Sequence, residues 1–172
     1  MRHKPLKLLA IVLLAVVLVL GYLAHKELAN PFQEMPRTIA NFSALTTNGE
    51  KTEYYYERGD VTLIVLSASW CPACIAEMPT LKKLHEEFSS RGFKILMVSE
   101  DDNLKIAARF KKAQSMPWTV VHWNYDLMNA LGNPRVIPVS YLVDGNDDIE
   151  EIFAGLVDEK RMRSSIERTL KH

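Results

Sequence analysis

The chain has 172 residues, 48% of them hydrophobic, with 21 basic and 21 acidic side chains. That is enough for one ordinary globular domain plus something added at an end. Arg2, Lys4 and Lys7 precede a first apolar run, and setting them aside leaves 18 basic against 21 acidic residues. Such a mildly acidic remainder lacks the basic face that a nucleic-acid binder needs.

The apolar run is Leu8 to Ala24, seventeen residues without a charge. Its length is near the short limit for crossing a bilayer, and the basic residues ahead of it favour an inside N-terminus. A cleaved signal peptide is the competing reading. Its apolar core is usually about 7–15 residues and ends at a small-x-small site. Here Gly21-Tyr22-Leu23-Ala24 puts Tyr or Leu where a small residue is wanted. The expectation is an uncleaved signal-anchor over residues 1–24, a single-pass helix in the cytoplasmic (inner) membrane. A tether over 25–38, carrying Pro31 and Pro36, would then lead to an outward-facing domain over 39–172.

Within that domain, Asn41 to Tyr56 reads as a β-hairpin turning at Asn48-Gly49. Period-two alternation sets Tyr55 opposite Tyr54 and Tyr56. Val61 to Leu66 is a β-branched apolar run suited to a strand buried on both faces. A helical stretch follows to about Ser90, with Leu81, Leu84 and Phe88 at helical spacing, closed by Gly92. Phe93 to Val98 is a second apolar strand. Asn103 to Ala113 is helical, with Ile106, Phe110 and Ala113 on one stripe. Trp118 to Trp123 is a strand, and Tyr125 to Leu131 a short helix stopped at Gly132-Asn133-Pro134. The tail offers strands at Val139 to Val143 and Ile149 to Phe153, then a helix capped by Asp158 that buries Met162, Ile166 and Leu170. This alternation predicts an α/β layer fold with a mixed central sheet.

The only two cysteines stand as Trp70-Cys71-Pro72-Ala73-Cys74, where the first apolar strand meets the first helix of the domain. Positions i and i+3 share a helix face, so the pair can close on itself. A helix N-terminus favours the thiolate, and Pro72 suits a first turn whose amide is unpaired anyway. Cys71 is then the attacking thiol and Cys74 the resolving one. A structural zinc site would need about four ligands, but His3, His25, His85, His122 and His172 show no ligand spacing. A staple across four residues closes too small a loop to stabilise much. Both alternatives stay open beside redox chemistry. Glu77 lies three residues beyond Cys74 on the same helical face and reads either as a proton acceptor or as a solvated glutamate. Pro79 falls inside the predicted helix and is expected to kink it.

From about Ile39 to Leu170 the chain resembles the membrane-tethered TlpA/ResA/CcmG-like group of thioredoxin-fold proteins. The resemblance rests on Trp70-Cys71-Pro72-Ala73-Cys74, on Glu77-Met78-Pro79, and on Ile137-Pro138 leading into Val139-Ser140-Tyr141-Leu142-Val143-Asp144. It implies a thioredoxin fold with an added N-terminal hairpin, behind one transmembrane helix. It implies Cys71, Cys74 and Glu77 as the catalytic set, with Trp70, Pro72, Ile137 and Pro138 facing substrate. Pro138 would be the family's cis-proline, and Ile137 the residue type common before it in reductants. One departure is Val65, where thioredoxin itself carries a buried acid. Another is Ser67-Ala68-Ser69, which replaces a bulkier aromatic segment.

The resulting expectation is an extracytoplasmic thiol–disulfide oxidoreductase without cofactor or metal. It would reduce disulfides in exported proteins such as apocytochrome c and be recharged by a membrane thiol transporter. A disulfide-forming oxidase or isomerase keeps the chemistry and reverses its direction, which local sequence does not decide. A copper-handling module would use the same two thiolates as soft ligands, with Met78 nearby in sequence.

Overall fold

The computed structural model describes residues 4–28 and 36–171. It divides into two units, residues 1–33 and 34–172. The first holds helix α1, Lys4–Leu28, which runs four residues past the expected anchor. Its side chains are described only at Leu9 and Ile11–Leu23, all exposed. The described residues alone hold no helix long and apolar enough to cross a membrane. Half of the expected tether, residues 29–35, lies outside the described residues, and residues 25–28 belong to α1 instead.

The second unit is built on a seven-stranded mixed sheet. Its strands are β1 (Ser43–Thr46), β2 (Lys51–Glu53), β3 (Val61–Ser67), β4 (Phe93–Ser99), β5 (Thr119–His122), β6 (Val139–Asp144) and β7 (Ile149–Ala154). They lie in the order β2-β1-β5-β4-β3-β6-β7. β3, β4 and β5 run parallel, β6 and β7 are antiparallel additions on one side, and the β1–β2 hairpin extends the other side through β5. Every residue of β3 is buried. It is the strand buried on both faces that its β-branched, largely apolar sequence predicts.

Helix α3 (Pro72–Phe88) follows β3 directly, and α6 (Glu159–Thr169) closes the chain. Met78, Leu81, Leu84 and Phe88 of α3 share one core cluster with Leu63 and Val65 of β3 and with Met162 and Ile166 of α6. This packing fixes where the first turn of α3 sits over the end of β3. A short 3₁₀ turn, Ser89–Arg91, ends at Gly92, whose φ of 88° is the left-handed conformation glycine accepts most easily. Asp158 caps α6 by accepting from the Lys160 and Arg161 amides, as the sequence suggests.

Three local expectations are corrected. Tyr54–Glu57 is a short helix, α2, rather than the end of a strand. The chain turns there to bury Tyr54 alone, stacked on Phe42 at 5.4 Å, and leaves Tyr55 and Tyr56 exposed. In α4 (Leu104–Ala113) the buried residues are Ala107 and Phe110, and Ala113 is exposed. The intervening helix α5 spans Tyr125–Ala130. Leu170 is the C-cap of α6 and only half-buried, packed against the core from its edge.

Candidate active site

The cysteines occupy the first turn of α3. Cys71 is the N-cap, with extended backbone, and Pro72 is the first helical residue. The Cys74 amide donates to Cys71 Sγ at 3.2 Å, so one of the unpaired amides of the helix start is aimed at that sulfur. A thiolate there gains a hydrogen bond and the favourable end of the helix dipole. The two residues form a disulfide across a Cα–Cα distance of 5.2 Å. Cys74 is fully buried and Cys71 almost so, which orders them as an outer and an inner sulfur. Ala68, Ala73 and Ile137 pack around them.

The Ile137–Pro138 peptide bond is cis. The Ile137 carbonyl lies 3.9 Å from Cys71 Sγ, so the segment before Pro138 faces the outer sulfur. Ile137 is half-buried, Pro138 buried and Val136 exposed. Next to them, Asn133, Pro134 and Arg135 form one wall of a cleft of about 510 Å³, shared with Glu100, Asp102, Trp123, Tyr125 and Met128. Trp70 is 64% exposed. It belongs to the rim, not to the packing around the pair.

Glu77 is buried, at 1% exposure. Neither carboxylate oxygen has a hydrogen-bond partner. Burial pushes its carboxyl up to about 7, and only the nearby Val157 amide opposes the rise, without reaching hydrogen-bonding geometry. The solvated-glutamate alternative is thereby removed. A buried carboxyl one turn below Cys74, titrating near neutrality, is chemically suited to take and return a proton. Val65 is fully buried and apolar, so the acid lies on the helix and not on the strand. Pro79 lies within α3 and is exposed.

Two contributors lie outside the motif. The chain between β7 and α6 returns to the site, where the Gly155 amide donates to the Pro138 carbonyl at 2.8 Å and Val157 approaches Glu77. Glu100, directly after β4, is a second carboxyl raised by burial. Only tertiary packing brings Gly155 to Pro138, Val157 to Glu77 and Glu100 to the cleft beside Pro134, and nothing in their local sequence marks them. Met78 is buried in the core cluster, away from a ligand role. Among the described residues no group of three or more His, Cys, Asp or Glu could hold a metal ion.

Comparison with known proteins agrees with this geometry. The redoxin family model matches residues 33–170. The chain belongs to the redoxin family. Within it, the relatives are of the ResA and DsbE kind. The thiol–disulfide oxidoreductase ResA of Oceanobacillus iheyensis is 30% identical over 95 residues, covering 55% of this chain and 50% of that protein. The ResA of Geobacillus thermodenitrificans is 23% identical over 96% of this chain and 97% of its own length. The thiol:disulfide interchange protein DsbE of Haemophilus influenzae is 29% identical over 78% of this chain and 73% of its own length. The solved structure of a putative DsbE from Chlorobium tepidum superposes with a TM-score of 0.71 at 20% identity, covering 80% of this chain and 98% of that one. The TlpA/ResA/CcmG-like resemblance and the thioredoxin-like fold are therefore borne out.

Proposed function

We propose that the protein is a membrane-anchored thiol–disulfide oxidoreductase that reduces disulfides in exported proteins, apocytochrome c among them. The observation that carries this reading is the Cys71–Cys74 disulfide at the start of α3, with a buried, unpartnered Glu77 one turn below it. Its relatives' names describe the same chemistry.

In the reduced enzyme, the Cys71 thiolate attacks one sulfur of the substrate disulfide. The substrate S–S bond breaks, a mixed disulfide forms, and the first substrate sulfur leaves and takes a proton. Cys74 then loses its proton to Glu77 and attacks Cys71 Sγ, releasing the second substrate thiol. The substrate gains two electrons and two protons, and the enzyme ends as the disulfide seen here. An external dithiol, in our reading a membrane thiol transporter, returns it to the reduced form. An extended substrate segment lies along Val136 and Ile137, beside Trp70 and Pro72, both exposed at the rim.

The anchor reading is supported by α1, whose described side chains from Ile11 to Leu23 are apolar or small and uncovered by protein. With Leu8, Ala10 and Ala24, the sequence completes an uncharged stretch of roughly the length that spans a bilayer. Retention of the full chain in alkali-washed membranes, with Cys71 reached by an impermeant thiol reagent from outside, is the expected result. The direction of electron flow is tested by equilibrating the protein in glutathione buffers. A potential well below about −180 mV supports a reductant, and one near about −120 mV overturns it in favour of an oxidase. A Cys74→Ala variant should trap the substrate as a mixed disulfide with Cys71, and recovery of apocytochromes would name the class.

A further inference from the structure

We propose that Asp101 is a positioning residue for the Cys71 nucleophile, acting through Ser69 on the loop that joins β3 to α3. Asp101 is fully buried, yet unlike Glu77 it has a donor at each carboxylate oxygen. Oδ1 accepts from the Ser69 amide at 3.0 Å and from the Ser69 hydroxyl at 2.6 Å. Oδ2 accepts from the Ser99 hydroxyl at 2.8 Å. The backbone of Asp101 is held as well, its amide donating to Ser99 Oγ at 3.2 Å and its carbonyl facing His122 Nε2 at 2.9 Å. The ends of β4 and β5 thus hold Asp101 in place, and its carboxylate grips the residue two places before Cys71.

The grip matters because of what Cys71 must do. Its sulfur has to sit where the Cys74 amide reaches it, 3.2 Å away. The loop from Ala68 to Trp70 sets the direction in which Cys71 leaves β3, and the Cys71 amide is itself tied back to the Ala68 carbonyl at 3.2 Å. Hydrogen bonds to a charged acceptor are shorter and stronger than neutral ones, so Asp101 is the firmest restraint on this loop. Without it the sulfur spends less time on the Cys74 amide, and the thiolate loses part of its stabilisation. A purely electrostatic role has the opposite sign, because removing a nearby negative charge makes a thiolate easier to form. The brace uses residues outside the cysteine motif and rests on the reading of Cys71 as the attacking thiol.

The test is alkylation of the reduced, full-length protein by iodoacetamide across pH, with the modified cysteine identified by peptide mass. Ser69→Ala should react at least about threefold more slowly at pH 7, with its rate–pH curve displaced to higher pH. Ser69→Thr, which keeps the hydroxyl, should restore the rate. Asp101→Ala and Asp101→Asn should be slowed further. Equal rates at Cys71 in Ser69→Ala, Ser69→Thr and the unsubstituted protein would overturn the brace alone, as would faster alkylation of a folded Asp101→Ala. Labelling of the unsubstituted protein at Cys74 instead of Cys71 would overturn the underlying assignment. Should Asp101→Ala not fold, the two Ser69 variants decide, because Ser69 is only half-buried.

Discussion

Glu77 and Asp101 are both buried carboxylates on the elements around the cysteine pair, and they are held in opposite ways. Glu77 comes three residues after Cys74 and has no hydrogen-bond partner at either oxygen. Asp101 grips the loop before Cys71 and has a donor at both. Burial of a carboxylate without donors raises its proton affinity, whereas donors aimed at both oxygens fix its position. Depth alone therefore says little about role. What surrounds the oxygens separates a group suited to moving a proton from one suited to holding a backbone.

The largest effects fall on the sulfurs that both acids flank. Cys71→Ala should reduce turnover of a model disulfide to background, because the chain has no third cysteine to take its place. Cys74→Ala should form the mixed disulfide and stop there. A Cys71→Ala protein that still turns over would remove the centre on which the two carboxylates are compared.

Glu77→Gln comes next. Without a proton acceptor for Cys74, resolution should slow on the order of 10²-fold, the lower end of what a positioned acid–base group supplies. The pH–rate profile of the unsubstituted enzyme should rise through about 7 as Glu77 ionises, and this limb should be missing in Glu77→Gln. Stability provides a second reading with a definite sign. The folded pKa of about 7 lies above the ordinary 4.5, so the native state binds more protons than the unfolded state between those values. The contribution of Glu77 is fully present below about 4.5 and is lost as pH rises through about 7. Urea unfolding of both proteins at several pH values should show Glu77→Gln gaining on the unsubstituted protein over that window. The gain should reach about 3 kcal/mol at pH 8. A difference that does not change with pH would mean that Glu77 is not the group that titrates.

Asp101→Ala should have the reverse sign. It strands the Ser69 amide and the hydroxyls of Ser69 and Ser99, at a cost of about 2–3 kcal/mol. Urea unfolding at pH 8 measures it directly. If both acids proved destabilising to remove there, the contrast between an orphaned and a satisfied carboxylate would collapse.

How much of this arrangement could be read from the sequence follows the range of the forces involved. β3 was legible because a strand buried on both faces reads as a short run rich in Val, Ile and Leu, which Thr62 barely interrupts. The first turn of α3 was legible because Cys71, Pro72 and Cys74 carry the capping geometry in four consecutive residues. Glu77 could be placed on the right face by its spacing, but its burial could not, since that depends on the chain returning after β7 near Val157. Asp101 was invisible for the same reason. In Ser99-Glu100-Asp101-Asp102 it reads as a solvated turn, and only the parallel pairing of β3 with β4, with Ser67 opposite Ser99, brings it to the cysteine loop. Tyr54 to Tyr56 misled in the other direction. Three aromatics in a row suit a strand, but a single buried contact with Phe42 outweighs the alternation.

Trp70 supplies the smallest expected effect and the control for the two carboxylates. It is adjacent to Cys71 in sequence, nearer along the chain than either acid, yet 64% of it is exposed. If roles follow from burial and partners, and not from nearness to the motif, Trp70→Ala should leave stability within about 0.5 kcal/mol. Its effect should appear in substrate engagement, as a severalfold rise in KM for a protein disulfide with kcat little changed, because an exposed aromatic contributes apolar contact area without touching the proton path. A small-molecule disulfide, which offers no surface to cover the ring, should react at the unsubstituted rate. Loss of stability comparable to that of Asp101→Ala would show that the rim is part of the fold's support, and the division between a held loop and an open substrate face would have to be redrawn.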